Sequence, residues 1–202
     1  MRIADETVGR LFVYLRGLLC LSQEGVGTVS SEALGARCHV KPSAIRKDLS
    51  YFGGFGKRGV GYDVEGLIKE IRAILKLGRL TKAALVGVGN VGRALLAYPG
   101  FKAEGFEVAV AFDKDARKVG RTANGVVIED VAHLERRLGE EGIKLAIIAV
   151  PVPEAPRTVQ RLVDAGVKAI LSFAPCPLKM PEGVKLTCVD LAMEMARLVY
   201  HL

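Results

Sequence analysis

Apolar residues recur at spacings of three and four from residue 7 to residue 23, at Val8, Leu11, Phe12, Leu15, Leu18 and Leu19. That period predicts an amphipathic first helix, closed by Gly25 and Gly27. Ser30 or Ser31 then caps a short helix, SSEALGARC, whose Ala33, Leu34 and Ala36 allow close packing. His39 and Val40 make a turn, and Pro42 suits the first turn of a third helix on which Ile45, Leu49 and Phe52 share one face. Helical spacing returns over 63–77 through Val64, Leu67, Ile68, Ile71, Ile74 and Leu75, with Gly78 as the stop and a short linker reaching Thr81.

Beyond that point the pattern changes. Near-continuous apolar runs of strand length, KAALV, FEVAVAFD, GVVI at 125–128, KLAIIAVP and VKAILSF, alternate with helical segments after the first glycine turn, from Asp130 to Leu138, from Glu154 to Ala165 and from Asp190 onward. Such alternation predicts an α/β unit with a mostly parallel sheet covered on both faces. The chain therefore divides into a unit at 1–80, a second at 81–189 and a closing helix at 190–202. At 202 residues each of the two larger units can bury a core.

Charge separates the units further. Residues 1–80 carry 13 Lys/Arg against 8 Asp/Glu, and from Arg37 to Arg58 six basic residues face a single acid, Asp48. Helix, short helix, turn and basic helix is the helix-turn-helix order, in which the last helix enters the major groove. Ser43, Arg46, Lys47 and Ser50 are its candidate DNA contacts, free to point outward. The glycine-rich run that follows cannot be helical and reads as a hairpin wing with two cations, Lys57 and Arg58, near its tip, the alternative being a mobile linker. No apolar run approaches the roughly 18 residues that span a bilayer, and the N-terminus lacks a secretory pattern, so cytoplasm is expected. Cys20, Cys38, Cys176 and Cys188 show neither metal-ligand nor disulfide-framework spacing; most are expected to be buried, and no metal is expected.

The strongest chemistry lies in GVGNVG at 87–92, between a strand and a helix, with Asp113 about 20 residues on. Gly87 permits a tight turn, Gly89 lets the backbone approach a pyrophosphate, and Gly92 lets the helix pack on the sheet, with Val88, Asn90 and Val91 completing the motif. Asp113 is placed to bind the adenosine ribose and repel a 2′-phosphate, favouring NAD over NADP, although Lys114, Arg117 and Lys118 lie close by. A merely structural glycine turn is the alternative. The turn from Val150 through Pro151 to Pro153, and that from Ser172 to Pro175, fall at strand ends beside this site. His39, His133 and His201 are poorly placed for proton transfer, and little chain remains for a substrate domain. No catalytic residue is therefore assigned, and the dinucleotide is expected to act as an effector. The rivals are a small NAD-dependent oxidoreductase with a basic accessory domain, and a DNA-binding protein whose second unit only dimerises.

IRKDLSYFGGFGKRGVGY at 45–62, VGVGNVGRAL at 86–95, YPGF at 98–101, FDKDARKVG at 112–120, FAP at 173–175 and VDLA at 189–192 together make the chain resemble the Rex family of bacterial redox-sensing transcriptional repressors. The resemblance implies a homodimer of winged-helix and Rossmann domains with the last helix exchanged between subunits. It also implies release from pseudo-palindromic operator DNA by NADH, with NAD+ permitting binding. By position it assigns DNA contacts to Arg46, Lys47, Ser50, Tyr51, Lys57, Arg58 and Gly59. Cofactor contacts fall to Gly87, Gly89, Asn90, Val91, Gly92, Asp113, Lys118 and Pro151, with Tyr98 and Asp190 near the nicotinamide and Arg16 able to join them. Leu191 stands where an aromatic is common in the family, and Ser172 where asparagine is common.

Overall fold

In a computed structural model the described residues are 5–57, 59–176 and 180–200. They form two compact units, Met1–Arg79 and Leu80–Leu202. The first holds α1 (Asp5–Gln23), β1 (Thr28–Val29), α2 (Ser31–Cys38), α3 (Pro42–Ser50), β2 (Gly56–Lys57), β3 (Gly61–Asp63) and α4 (Val64–Ile74). Its small antiparallel sheet runs β1-β3-β2.

On α1 the buried stripe is Leu11, Tyr14, Leu15 and Leu18, whereas Phe12 is 43 % exposed. The predicted period holds but the stripe is displaced, because Tyr14 finds a hydrogen-bond partner for its hydroxyl inside the unit and so is buried in full. Ser30 caps α2 by accepting from the Ala33 amide at 3.1 Å. His39 ends α2 in a left-handed conformation, φ 54°. A Cβ on Gly35 would lie 2.5 Å from the Val40 carbonyl, so this glycine lets the turn fold back against the helix. Ile45 and Leu49 of α3 meet Leu34 of α2 and the α4 residues Leu67, Ile68 and Ile71 in one core. Helix α4 stops at Ile74, short of the predicted Gly78, because Lys76 already turns to φ 56°.

The second unit begins within the predicted linker, since the Thr81 amide donates to the Gly105 carbonyl and starts β4 (Thr81–Val86). Then come α5 (Asn90–Leu96), α6 (Pro99–Ala103), β5 (Phe106–Asp113), β6 (Thr122–Ala123), β7 (Val126–Asp130), α7 (Leu134–Glu141), β8 (Leu145–Ile148), α8 (Ala155–Asp164), β9 (Ala169–Ser172), β10 (Lys185–Cys188) and α9 (Leu191–Val199). The sheet order is β10-β9-β8-β4-β5-β7-β6, parallel except for the β6–β7 pair. Strand order therefore reverses between β4 and β8, the switch point of a doubly wound Rossmann sheet. Alternate β4 residues feed the two faces: Ala84 and Val86 pack with Leu134, Leu138 and Leu162, and Leu85 with Ala111, Ile128 and Ile147.

Where the second unit departs from the sequence pattern, the segments are short or edge-lying. β10 was not expected because KLTC alternates weakly, yet it pairs in parallel with β9. The helix expected from Asp130 opens as a 3-10 turn at Val131–His133, capped by Asp130, before α7 runs to Glu141. Of the four cysteines only Cys38 is buried; Cys20 and Cys188 are exposed, one on the outer side of α1 and one ending an edge strand. Among the described residues no helix is long and apolar enough to cross a membrane.

Candidate functional site

Helix α3 carries its chemistry on two sides. Ser43, Arg46, Lys47 and Ser50 are exposed, and Tyr51 just beyond the helix is 41 % exposed. On the inner side Asp48 is buried at 1 % exposure between α3 and α1. Arg10 grips it with two bonds, Nε to Oδ2 at 2.6 Å and Nη2 to Oδ1 at 2.8 Å. The Tyr14 hydroxyl donates to Oδ2 at 2.7 Å and Thr7 Oγ1 to Oδ1 at 3.3 Å. Burial works against this carboxylate, but the bonds from Arg10 and Tyr14 outweigh it and hold its pKa below the usual value. The single acid of the basic segment thus pins the outward-facing helix to α1. The one clue in the sequence was an acid at a helix position between Ile45 and Leu49, both apolar and inward.

Arg46 is exposed, but it is not free as the sequence reading had it. Its Nη1 donates to Ser31 Oγ at 2.6 Å and to Glu32 Oε1 at 3.0 Å, both at the start of α2. Ser50 Oγ donates to the Lys47 carbonyl at 2.7 Å. Strands β2 and β3 form the hairpin expected of the glycine run, with Gly59 at φ 82° and Val60 64 % exposed at its tip. Arg58 and the side chain of Lys57 lie outside the described residues. An open cleft of about 560 Å³ separates this hairpin from α3, bordered by Ser31, Glu32, Arg46, Ser50, Phe55 and Tyr62.

At the switch point of the second unit, the glycine turn is held by close backbone approach. Gly87 sits at φ 93°, and a Cβ there would lie 2.5 Å from the Ala149 carbonyl oxygen. Gly92 has still less room, 2.0 Å to the Gly87 carbonyl, so α5 seats directly on the turn. A Cβ on Gly89 would meet nothing within 4 Å. Gly89 therefore opens onto a cleft of about 760 Å³, also bordered by Gly87, Asp113, Lys118, Val150 and Pro151, a size suited to a nucleotide. Backbone without a side chain, next to the first unbonded amides of α5, accommodates a phosphate group.

Asp113 does more than the sequence reading gave it. Its Oδ2 accepts from the Val88 amide at 2.8 Å and from Lys118 at 2.9 Å, and Oδ1 accepts from the Asp115 amide at 2.9 Å. Burial opposes its ionisation, yet Lys118 and the two amides prevail and lower its pKa. The carboxylate thus ties the end of β5 to the glycine turn, with about one of its four lone-pair sites left for a ligand hydroxyl. Asp113→Ala is expected to leave the Val88 amide unsatisfied and cost about 1–3 kcal/mol. Denaturant unfolding of the two proteins at pH 7 would measure this.

The remaining candidates spread out. The Val88 side chain is buried in the core, Asn90 Oδ1 accepts from Arg93 at 2.7 Å, and Val91 is 46 % exposed. Tyr98 is also exposed, edge-on to Phe101 with ring centroids 5.2 Å apart. Asp190 caps α9 by accepting from the Met193 amide at 3.0 Å. Neither Tyr98 nor Asp190 borders the 760 Å³ cleft. Sequence reasoning placed the Val150–Pro153 turn beside the cleft but missed the side built by Glu154 and α8. There Glu154 pairs with Lys114 at 2.5 Å, and Arg161 is held by Glu135 and by the Val131 carbonyl. Arg157 also borders the cleft, with no ion-pair partner among the described residues. No motif spacing marks Glu154, Arg157 and Arg161, which reach the cleft through the crossover from β8 to β9.

Comparison with known proteins covers both units. A family model described as "CoA binding domain" matches residues 79–176, and one described as "Putative DNA-binding protein N-terminus" matches residues 2–50. Over 198 residues the chain is 46 % identical to the redox-sensing transcriptional repressor Rex of Chloroflexus aurantiacus, covering 98 % of this chain and 93 % of that one. It is 43 % identical to the Rex of Lactobacillus acidophilus over 202 residues, covering 100 % and 96 %. Among solved structures it is similar to RSP in complex with β-NAD+ and operator DNA, with a TM-score of 0.95 and 35 % identity over 100 % of this chain and 93 % of that one. RSP in complex with β-NADH gives a TM-score of 0.91 at 33 % identity, over 100 % and 94 %.

Proposed function

Since the chain belongs to the Rex family of redox-sensing transcriptional repressors, we propose that it represses transcription by holding operator DNA and lets go when NADH enters its dinucleotide cleft. The observation that carries this reading is the presence in one chain of a basic, outward-facing helix beside a hairpin wing and of a glycine-floored cleft at a Rossmann switch point.

Ser43, Arg46, Lys47, Ser50 and Tyr51 meet the major groove, and the wing residues Lys57, Arg58 and Gly59 meet the minor groove or the flanking phosphates. Gly87, Gly89 and the amides from Asn90 to Gly92 receive the pyrophosphate. Asp113 and Lys118 receive the adenosine ribose, with Val150 and Pro151 along the other wall. When bound, the cofactor supplies a nicotinamide ring that is positively charged if oxidised and neutral if reduced. Asp190 and Tyr98 are the groups whose interactions differ between those two charges, so the forms favour different arrangements of the dimer. A coupling of about 1–3 kcal/mol changes DNA affinity roughly 5- to 150-fold.

The nucleotide is an effector here, not a hydride donor. His133 is an exposed residue of the turn before α7, His39 belongs to the other unit, and His201 lies outside the described residues. The partner in the dimer is a second copy of the chain. Helix α9 supports this, since its Leu191, Met193, Met195, Leu198 and Val199 are each more than half exposed within one subunit. The protein acts in the cytoplasm, where the operator is.

Mobility shifts on a pseudo-palindromic operator, titrated with NADH, NAD+ and NADPH at fixed salt, test the reading. Release by NADH, with NAD+ leaving the complex intact, is the expected result. Binding indifferent to all three nucleotides would reduce the cleft to a structural feature. Release by NADPH at the same concentration as NADH would remove the discrimination assigned to Asp113.

A further inference from the structure

An acid, Glu32, stands on the face that this reading turns toward DNA, and it is paired with Arg46. Glu32 accepts from Arg46 Nη1 at 3.0 Å, while Ser31 Oγ accepts from the same nitrogen at 2.6 Å. Ser31 in turn donates its hydroxyl proton to Glu32, with contacts of 3.2 and 3.3 Å to the two carboxylate oxygens. Ser31 is only 7 % exposed, so this relay has one rigid member fixed in α2. Arg46 and Glu32 keep 54 % and 68 % of their side chains in water and look into the cleft between α3 and the wing.

We propose that Ser31 and Glu32 are positioning residues for Arg46, and that Glu32 thereby sets the discrimination between operator and random DNA. The inference rests on the DNA-binding reading above. An arginine has five N–H donors on a long, flexible stem. Left loose on a basic face, it would settle on the phosphates that every DNA sequence offers. Tethered through Nη1 to α2, it keeps its remaining donors aimed off the helix, where a guanine edge accepts two of them side by side. The pair is exposed and therefore weak, so it does not prevent the docked arginine from shifting. The Glu32 carboxylate also competes with phosphates for Arg46 wherever no suitable base edge is present.

The test compares wild type, Glu32→Gln, Arg46→Ala and the double variant on operator and on random-sequence duplex over a series of salt concentrations. Glu32→Gln is expected to bind random duplex about 5-fold more tightly, with a salt slope steeper by about one, as for one added phosphate contact. Its operator affinity is expected to hold or fall, so the ratio of the two affinities drops. In the Arg46→Ala background the same change is expected to leave that ratio where it is. Ser31→Ala serves as a second route to loosening the tether and should move the ratio in the same direction. An unchanged ratio for Glu32→Gln would overturn the proposal. So would an equal gain with or without Arg46, which would make Glu32 a bare repelling charge. Wild type that shows no preference for operator would overturn the DNA-binding reading itself, and this proposal with it.

Discussion

Replacing Gly87 with alanine is expected to abolish the response to NADH while leaving the N-terminal unit able to bind operator DNA. The backbone at Gly87 has φ 93°, where an L side chain costs about 1–2 kcal/mol. The new methyl would also stand 2.5 Å from the Ala149 carbonyl oxygen, 2.8 Å from its carbon and 3.0 Å from Val150 Cγ1. Two of those three atoms are backbone, and the surrounding strands are locked. The Ala149 amide donates to the Val86 carbonyl at 2.8 Å, and the Gly87 amide donates to Phe112 at 2.8 Å. Overpacking of this kind costs a further 1–3 kcal/mol or so. The relief is a shift of the turn itself, which is the floor of the cleft. A loss of about 2.7 kcal/mol in binding is a hundredfold in Kd, and calorimetric titration with NADH would register it. Binding within threefold of wild type would show that the turn does not hold the nucleotide. Gly89→Ala is the informative contrast, because its methyl meets nothing within 4 Å. It should leave thermal stability near wild type and weaken the nucleotide alone.

Asp48→Ala is expected to have the largest effect on the N-terminal unit. It strands the Arg10 guanidinium and leaves the fully buried Tyr14 hydroxyl without its acceptor. Breaking a buried pair by removing one partner costs about 3–5 kcal/mol, and the lower figure applies because Arg10 keeps 34 % of its side chain in water. For a unit of about 80 residues that is a large share of its stability. Loss of operator binding should accompany a lowered unfolding midpoint followed by circular dichroism, while nucleotide binding by the other unit persists. The same group predicts a pH dependence. Its folded pKa lies below the unfolded value of about 3.9, so the stabilisation is complete above that value and disappears as pH falls through the folded pKa. Asp48→Asn should lack this acid-dependent component. A variant that keeps wild-type stability at pH 7 and the same acid profile would show that Asp48 does not fasten α3.

The hydrophobic pattern carried much of the fold, and its failures share a cause. Phe12 and Tyr14 compete for one face of α1, and the winner depends on a carboxylate 34 residues away. Arg46 was legible as a cation of the outward face, but its tether to Ser31 and Glu32 depends on how α2 crosses α3. The glycine fingerprint was legible because each glycine answers a local demand for space. The Asp113 bond to Val88 joins the end of β5 to the turn after β4, so the motif alone left it as a ligand for ribose. Arg157 and Glu154 escaped notice because their approach to the cleft follows from the β8–β9 crossover and not from any spacing.

By itself the sequence determined the element types, the basic character of one helix and the position of a phosphate-sized gap after β4. Each of these depends on neighbours within a few turns of chain, through periodicity, charge or the absence of a Cβ. Only the tertiary structure decided which polar groups are already committed: Asp48 to α1, Arg46 to α2, Asp113 to the glycine turn. Hydrogen bonds need their partners within about 3 Å, and residues 14, 25 or 34 positions apart reach that distance only when the units have packed.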